Sequence, residues 1–545
     1  MTTETPTTGK YTSPPTPTTT TTTDSIQRST SPSTPFMTTT ATTQPGDAME
    51  PEGRTTEPFP TSTVTFISHE PPKSSSLPVS EVTTADLQLD DPGEILDQLF
   101  PSGDSPSDDG KVDSTTCTEA MKTLAKLSRT PSAKDSTDKM VTIFNTVVTM
   151  CGTLPLDAQA EGGYVVGAMT DSIMQSVLEG ASMKELAPKA SAVVDTVASL
   201  MESGGSEPVT DDEDDVIALS RLPPRKRDEF QKQMEKKLQQ KQKQQWALQR
   251  EVTQRLQKDL DNMADALLGS VDSGERVELG SKAVQMVLDK SSGGRLGGAA
   301  VAAHAGRVTF PHAHALYSGG ITADVEMKVV VGYERNPYVW DDSARDIKSS
   351  VVDIELKRPD GDTLEVKDLP EETTVVLKNA PDMFPAPRLV KYSPFPNDTM
   401  VFRSFSARRN QTYGVTVSLV SLYPAAVMYG KLGDFPNETD YDFQRDLNMD
   451  DFITETVPPH DDVQTAFTVL QPDTAVQNGT EEYTLGLQMD GCPPSGCLYS
   501  VHIVRLNCLF WDAGVDAEQG SWKGDGCRVS PASTLTHTVC LCNHL

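Results

Sequence analysis

The apolar residues of this chain change their period once, and that change limits the fold more than any single residue does. Before about residue 292 they recur at helical spacing. Met140, Ile143, Phe144, Val147 and Cys151 sit at i, i+3, i+4, i+7 and i+11; Val166, Met169, Ile173 and Val177, then Val193, Val194, Val197, Leu200 and Met201, form comparable stripes. A helix gathers residues so spaced onto one face. After Gly293-Gly294 and Gly297-Gly298 the period becomes two. Val325, Met327, Val329, Val331 and Tyr333 alternate with mostly polar neighbours, as do Val352, Ile354 and Leu356, which is the pattern of a half-buried strand. Pro359-Asp360-Gly361-Asp362 carries turn chemistry and is expected to fold that strand back into Leu364 and Val366. Further strands are expected over 413–420, 466–470, 483–487, 499–503 and 539–541. Helices followed by antiparallel strands define an α+β chain. The reading is a helical part over 115–292 and an antiparallel β-sandwich over 293–545.

The longest helix is expected to open after Pro223-Pro224 and to run to about Leu268. Met234, Leu238, Trp246, Leu248, Val252, Leu256, Leu260, Met263 and Leu267 form its apolar edge. Their spacing is closer to four than to 3.5, which favours packing on its own domain over a coiled coil. Asp211-Asp212-Glu213-Asp214-Asp215 before it reads as a solvated loop.

Residues 1–114 have a different composition. The run Thr18–Thr23 and the segment Pro14-Pro15-Thr16-Pro17 belong to a Thr/Ser/Pro-rich stretch, and Asp90-Asp91-Pro92 and Asp108-Asp109-Gly110 mark an acidic linker. So little apolar surface cannot offset the entropy of ordering. The segment is expected to be a disordered, mucin-like stalk. A net charge of −31 and a pI near 4.6 argue against nucleic-acid binding, because phosphates would be repelled. The chain has no G-x-S-x-G, H-E-x-x-H or P-loop pattern, so no enzyme with turnover is expected.

Cysteine usage points to an oxidising compartment. Of eight cysteines, Cys117 and Cys151 stand alone, and Cys492, Cys497, Cys508, Cys527, Cys540 and Cys542 crowd the C-terminal end. Cys540-x-Cys542 is too tight for a zinc hairpin, and Asp440, Asp442, Asp446, Asp450 and Asp451 lack EF-hand spacing. Neither a metal nor a cofactor is expected. Spacing alone leaves three connectivities open for the last four cysteines. Asn397, Asn410, Asn437 and Asn478 each begin an N-x-T acceptor, which together with the cysteines indicates a glycosylated extracellular protein.

The run from Cys508 through Trp511, Trp522 and Cys527 to Cys540-Leu541-Cys542-Asn543-His544-Leu545 resembles the GPS motif. That motif is the self-cleavage site of the GAIN domain found in adhesion-type receptors and polycystin-1-like proteins. The helical part followed by a sandwich resembles the GAIN domain as a whole. Gly526-Cys527-Arg528-Val529, Thr536–Cys542 and the Asn336-Pro337-Tyr338 region look most like polycystin-1-like proteins, including the sperm receptor for egg jelly. The resemblance implies a GAIN subdomain A over 115–292 and a subdomain B over 293–545, with the GPS motif at 508–545. It also implies the pairings Cys508–Cys540 and Cys527–Cys542. Cys492 and Cys497, flanking a short loop, are then expected to bridge locally, and Cys117 and Cys151 to pair with each other.

In the family, a Ser or Thr hydroxyl directly after the Leu attacks the Leu carbonyl while the preceding His removes its proton. An amide becomes an ester, which water hydrolyses. Here the resemblance makes His544 the base and Leu545 the acyl donor; the nucleophile would be residue 546. An imidazole with a pKa of about 6.5 can accept that proton at extracellular pH. The event is at most a single-turnover autoproteolysis of a full-length precursor.

Met1-Thr2-Thr3-Glu4-Thr5-Pro6 lacks the regions of a signal peptide, and no run approaches the ~18 apolar residues of a membrane helix. The chain is therefore expected to be an extracellular N-terminal fragment of a longer precursor, at the face of the plasma or ciliary membrane. Its implied partners are the C-terminal membrane fragment of the same precursor and polycystin-2-like channel subunits, the latter placing it in a calcium channel complex. The alternatives are the ectodomain of an adhesion-type G-protein-coupled receptor and an uncleaved, adhesive mucin-like extracellular protein.

Overall fold

Helix starts are set by local chemistry. In the computed structural model, which describes residues 91–100, 112–130, 136–203 and most of 223–544, α1 (Pro92–Leu99) begins behind Asp91, whose side chain accepts from the Gly93 N–H at 2.8 Å. α2 (Ser114–Leu127) begins behind Asp113, which accepts from the Thr115 and Thr116 N–H groups at 2.9 and 3.0 Å. Each cap satisfies donors that the first helical turn leaves open. α3 (Thr137–Cys151) stops at Gly152, whose φ of +67° suits glycine. α4 (Leu156–Leu178), α5 (Met183–Ser203) and α6 (Pro224–Leu268) complete the helical part. The stripes combine into one core: Met140, Ile143, Phe144 and Val147 of α3 share it with Val166, Met169, Val193, Val197, Leu256, Leu260 and Met263. Cys117 and Cys151 form a disulfide joining α2 to α3.

The first strands are β1 (Arg276–Leu279), β2 (Val284–Ser292), β3 (Ala300–Ala303), β4 (Gly306–Thr309), β5 (Asp324–Gly332), β6 (Val351–Lys357) and β7 (Thr373–Lys378). The next group comprises β8 (Val390–Tyr392), β9 (Val401–Arg408), β10 (Thr412–Val420), β11 (Ala425–Leu432), β12 (Phe443–Leu447), β13 (Phe452–Val457), β14 (His460–Leu470), β15 (Thr480–Asp490) and β16 (Cys497–Leu506). The last are β17 (Phe510–Asp512), β18 (Ser521–Lys523), β19 (Cys527–Val529) and β20 (His537–Cys542).

Apart from the two-stranded β17-β18 sheet, these strands make two stacked pairs of sheets. In the first pair, the order β1-β2-β5-β6 faces β19-β20-β7-β4-β3, with Val287, Val301, Val308, Phe310, Met327 and Leu356 between them. The second pair, β13-β14-β10-β16-β8 and β12-β11-β15-β9, encloses Tyr413, Val415, Val417, Met428, Tyr483, Leu485 and Leu487. The chain thus leaves the first pair after β7, builds the second, and returns through β17–β20. All described pairings are antiparallel, as between β10 and β16, where Val417 pairs with Val501.

Two boundaries differ from the sequence reading. Strands already begin at Arg276, so β1 and β2 lie inside the span 115–292 read as helical. The reason is burial on both faces of β2. Val284, Met286 and Leu288 pack on the helices while Val287 packs on the opposite sheet, and a strand covered on both sides loses its alternation. α1 likewise falls within 1–114, where no order was expected, with Ile95 in the helical core. Residues 1–90, the acidic run 211–215, Asn397, Asn410, Asn478, Cys492 and Leu545 lie outside the described residues.

Helix α6 is tied to the first sheet by charge. Lys328, on the face of β5 opposite Met327, is 3% exposed; its Nζ lies 2.5 Å from Asp261 and 2.9 Å from Glu355. Lys357 reaches Asp265 at 2.5 Å. A buried ammonium is tolerated only when paired in this way.

Candidate functional site

The Cys527–Cys542 disulfide places the C-terminal strand. β20 lies between β19 and β7, with Cys527 opposite Cys542 and Val529 opposite Cys540. Cys540 is bonded to Cys508 and Cys542 to Cys527. Two crossed bridges over loops of 32 and 15 residues each contribute on the order of 3 kcal/mol by restricting the unfolded chain. Cys497 is also disulfide-bonded; Cys117–Cys151 lies far from this site along the chain.

The turn before β20 is held by a buried amide. Asn379 Nδ2 donates to the Leu535 carbonyl at 3.0 Å, its N–H to the Thr536 carbonyl at 2.8 Å, and its Oδ1 accepts from Thr538 Oγ1 at 2.8 Å. Arg528 and Glu372 then form a two-point ion pair at 2.9 and 2.6 Å, a geometry that fixes orientation as well as charge.

Beyond Cys542 the backbone is gripped from two sides. Asn543 N–H donates to the Gly526 carbonyl at 3.0 Å, and the Asn543 carbonyl accepts from Leu369 N–H at 2.7 Å. Asp368, next to Leu369, has φ +51°, the one non-glycine residue with positive φ among the described residues. Gly526 has φ +78°, and a Cβ there would come within 2.5 Å of Asn543 Oδ1 and 2.6 Å of His544 Nδ1. Only glycine satisfies both the backbone angle and the close approach.

His544 is half-buried against Phe510, ring centroids 4.2 Å apart and edge to face. Its Nδ1 lies 3.2 Å from Asn543 Oδ1, which accepts from the ring in the Nδ1–H tautomer. That tautomer leaves the Nε2 lone pair to take a proton; Cys527 Sγ lies 3.9 Å from Nε2. Burial lowers the His544 pKa below its ordinary value. The charged form is the one that loses hydration, so the imidazole stays neutral at pH 7.4. The ring thus presents an accepting nitrogen one residue before Leu545, which lies outside the described residues.

Trp511 and Trp522 pair across β17 and β18, ring centroids 5.7 Å apart, and Tyr338 packs on both at 6.3 and 5.1 Å. Gln257 of α6 donates to the Tyr338 hydroxyl, and Tyr338 and Trp522 lie against the helical core. Burial pushes the Tyr338 hydroxyl up to about 12. The aromatic group therefore couples the hairpin beside the site to α6. Asn336 shapes the contact loop, with Oδ1 accepting from Tyr338 N–H at 2.9 Å.

Asn437, the one sequon asparagine among the described residues, is exposed on the second sheet pair. Sequence reasoning did not single out Asn379, Phe510, Leu369 or Glu372. Each comes from a segment remote from the motif or lacks a spacing signature, and only the fold brings them together.

Comparison with known proteins finds a likeness over the same end of the chain. Residues 425–545 match the family model described as GPS, GAIN subdomain B. Polycystin-1-like protein 3 of Mus musculus is 46% identical over 48 residues, 9% of this chain and 2% of that protein. The Homo sapiens protein of the same name is 33% identical over 81 residues, 14% of this chain and 4% of its own length. Adhesion G-protein coupled receptor G6 of Danio rerio is 47% identical over 38 residues, 7% of this chain and 3% of the receptor. The matches thus span only a few per cent of those relatives. The full extracellular region of zebrafish Gpr126/Adgrg6 overlays 80% of this chain and 35% of its own at 11% identity, with a TM-score of 0.28, too loose a likeness to carry an argument.

Proposed function

Because residues 425–545 are a GPS-containing GAIN subdomain B, we infer that this chain is the extracellular part of a polycystin-1-like membrane receptor, and that its GPS region cleaves the precursor after Leu545. The observation that carries the reading is the half-buried His544, held by Gly526 and Phe510 one residue before the bond in question. In a precursor continued by Ser or Thr, the hydroxyl at 546 attacks the Leu545 carbonyl and His544 takes its proton. The amide nitrogen leaves protonated, and water then opens the ester. Both bridges lie N-terminal to the cut, so after cleavage the two fragments stay together through non-covalent contacts of the strand that follows Leu545. The role is structural and signalling; the partners are the membrane fragment and, by family, polycystin-2-like channel subunits.

An adhesion-type receptor is the second reading, supported by adhesion receptor G6 at 47% identity over 38 residues, beside 46% over 48 residues for polycystin-1-like protein 3. The full-length transcript separates the readings. Ser or Thr at codon 546 followed by about eleven membrane helices supports the first, and seven helices select the adhesion receptor. A stop codon at 546 contradicts both and leaves an uncleaved extracellular adhesive protein.

A further inference from the structure

We propose that Phe435 is a built platform for an N-linked N-acetylglucosamine carried by Asn437, which makes this glycosylation site part of the folded outer face of β12-β11-β15-β9. The proposal rests on the extracellular reading and is independent of cleavage.

The segment Phe435-Pro436-Asn437 alternates exposed, buried, exposed. Pro436 turns to the sheet at Gly486, where an added Cβ would lie 3.1 Å from Pro436 Cγ, 3.1 Å from Phe402 Cε1 and 3.2 Å from Met400 Sδ. With Pro436 turned in, Phe435 and Asn437 face outward on the same side, two residues apart. Phe435 is 60% exposed and stands edge to face on Phe402, itself 40% exposed, with centroids 5.1 Å apart. An aromatic pair is thus fixed in orientation, with apolar ring surface left in water. A pyranose offers the complementary surface: its axial C–H bonds suit the negative face of an aromatic ring.

The asparagine is oriented to deliver that sugar. Asn437 Oδ1 accepts from Thr439 N–H, Thr439 Oγ1 and Asp440 N–H, each at 2.9 Å. These bonds fix the carboxamide with its oxygen turned into the loop and Nδ2 away from it. Asn437 and Asp440 exchange backbone hydrogen bonds at 3.1 and 3.3 Å, and Lys431 Nζ holds Asp440 Oδ2 at 2.5 Å. Gln488 Nε2 donates to Glu438 at 3.2 Å. A turn pinned at these points keeps the direction of a substituent on Nδ2.

The modification joins Asn437 Nδ2 to C1 of N-acetylglucosamine from a lipid-linked diphosphate oligosaccharide. The bond from C1 to the diphosphate oxygen breaks, the diphosphate leaves with the electron pair, and Nδ2 gives up one proton to a base of the transferase. No electrons are exchanged with an oxidant or reductant.

The test is a double-mutant cycle on the full chain secreted from mammalian cells, with Asn437→Gln, Phe435→Ala and the double variant, after an endoglycosidase has cut each glycan to a single N-acetylglucosamine. Peptide mass spectrometry reads occupancy and calorimetry reads the melting temperature. Asn437 is expected to be occupied, and Asn437→Gln to lower the melting temperature by on the order of 1–3 °C. In the Phe435→Ala background the same change is expected to have no effect, and Phe435→Trp to retain the shift. An unoccupied Asn437 in a protein glycosylated elsewhere overturns the proposal alone, as does an equal shift in both backgrounds. A chain secreted with none of its sequons modified counts against the extracellular reading as well.

Discussion

In the second sheet pair, Val415, Val417 and Leu419 of β10 share a core with Met428, Leu485 and Leu487 from the facing sheet. At the GPS junction the buried cluster shrinks to Leu506, Cys508, Val529 and Cys540. Burial of each large apolar side chain in the first region contributes about 1.5–3 kcal/mol. The junction replaces that area with two disulfides, a glycine that only its own backbone angle allows, and the Asn379 amide network. The contrast separates two kinds of support: a core tolerates gradual loss, whereas a site held by a few specific contacts fails when one is removed. His544 belongs to the second kind, because it is positioned by Gly526, Asn543 and Phe510 and not by a filled interior.

Removing covalent support should show the largest effect. Cys508→Ser with Cys540→Ser is expected to cost about 2–5 kcal/mol and to eliminate cleavage in an extended precursor, as read by denaturant unfolding and gel analysis. Leu485→Ala in the second pair is expected to cost a similar amount, about 2–5 kcal/mol, yet leave the cleaved fraction of folded protein unchanged. Equal loss of cleavage in both would erase the contrast. Gly526→Ala should cost about 1–2 kcal/mol in backbone strain and abolish most cleavage, because the added methyl displaces Asn543 and His544; normal cleavage would show that this close approach is not needed.

A smaller effect is expected inside the helical part. Asp259 of α6 lies beside Gly167 of α4, its Oδ2 without a hydrogen-bond partner among the described residues. Burial first, then Asp171, push its pKa up to about 6, against the opposing pull of Arg255 and Lys258. The folded state therefore takes up this proton before the unfolded state does. Its contribution becomes more favourable as pH falls through about 6, and is least favourable above. Asp259→Asn should raise the melting temperature at pH 7.4 and narrow the difference from the parent protein at pH 5; a constant difference across that range would contradict the assignment. The smallest change is Asp368→Gly, expected to add about 0.5 kcal/mol by relieving the positive φ, checked by chemical denaturation.

The sequence made most of this architecture legible where a stripe meets a single core. The spacing of Met140, Ile143, Phe144 and Val147 identified α3, and the alternation at Val325, Met327 and Val329 identified β5. It failed at β2, where Val284 and Val287 are buried on opposite faces. The division of the strands into two pairs was also hidden, since the return from β16 to β17 brings β20 beside β7, with His537 opposite Lys378. Nothing local encodes that distance. At the site, the motif wording indicated Cys508, Cys527, Cys540, Cys542 and His544, and the resemblance implied the two bridges found there. Asn379 and Leu369 left no trace because their roles depend on backbone groups more than 150 residues away.

The most direct measurement is the intact mass of the chain extended past Leu545 by Thr and the natural downstream strand, folded in an oxidising host and followed from pH 8 to pH 5. The account predicts cleavage between residues 545 and 546, near-complete loss in His544→Ala, and a rate that holds at pH 7.4. Because burial lowers the His544 pKa, the rate should fall only below about 6.5, the ordinary imidazole value. An extended chain that folds with both GPS disulfides formed and stays whole, or one that cleaves equally well with Ala at 544, would contradict it.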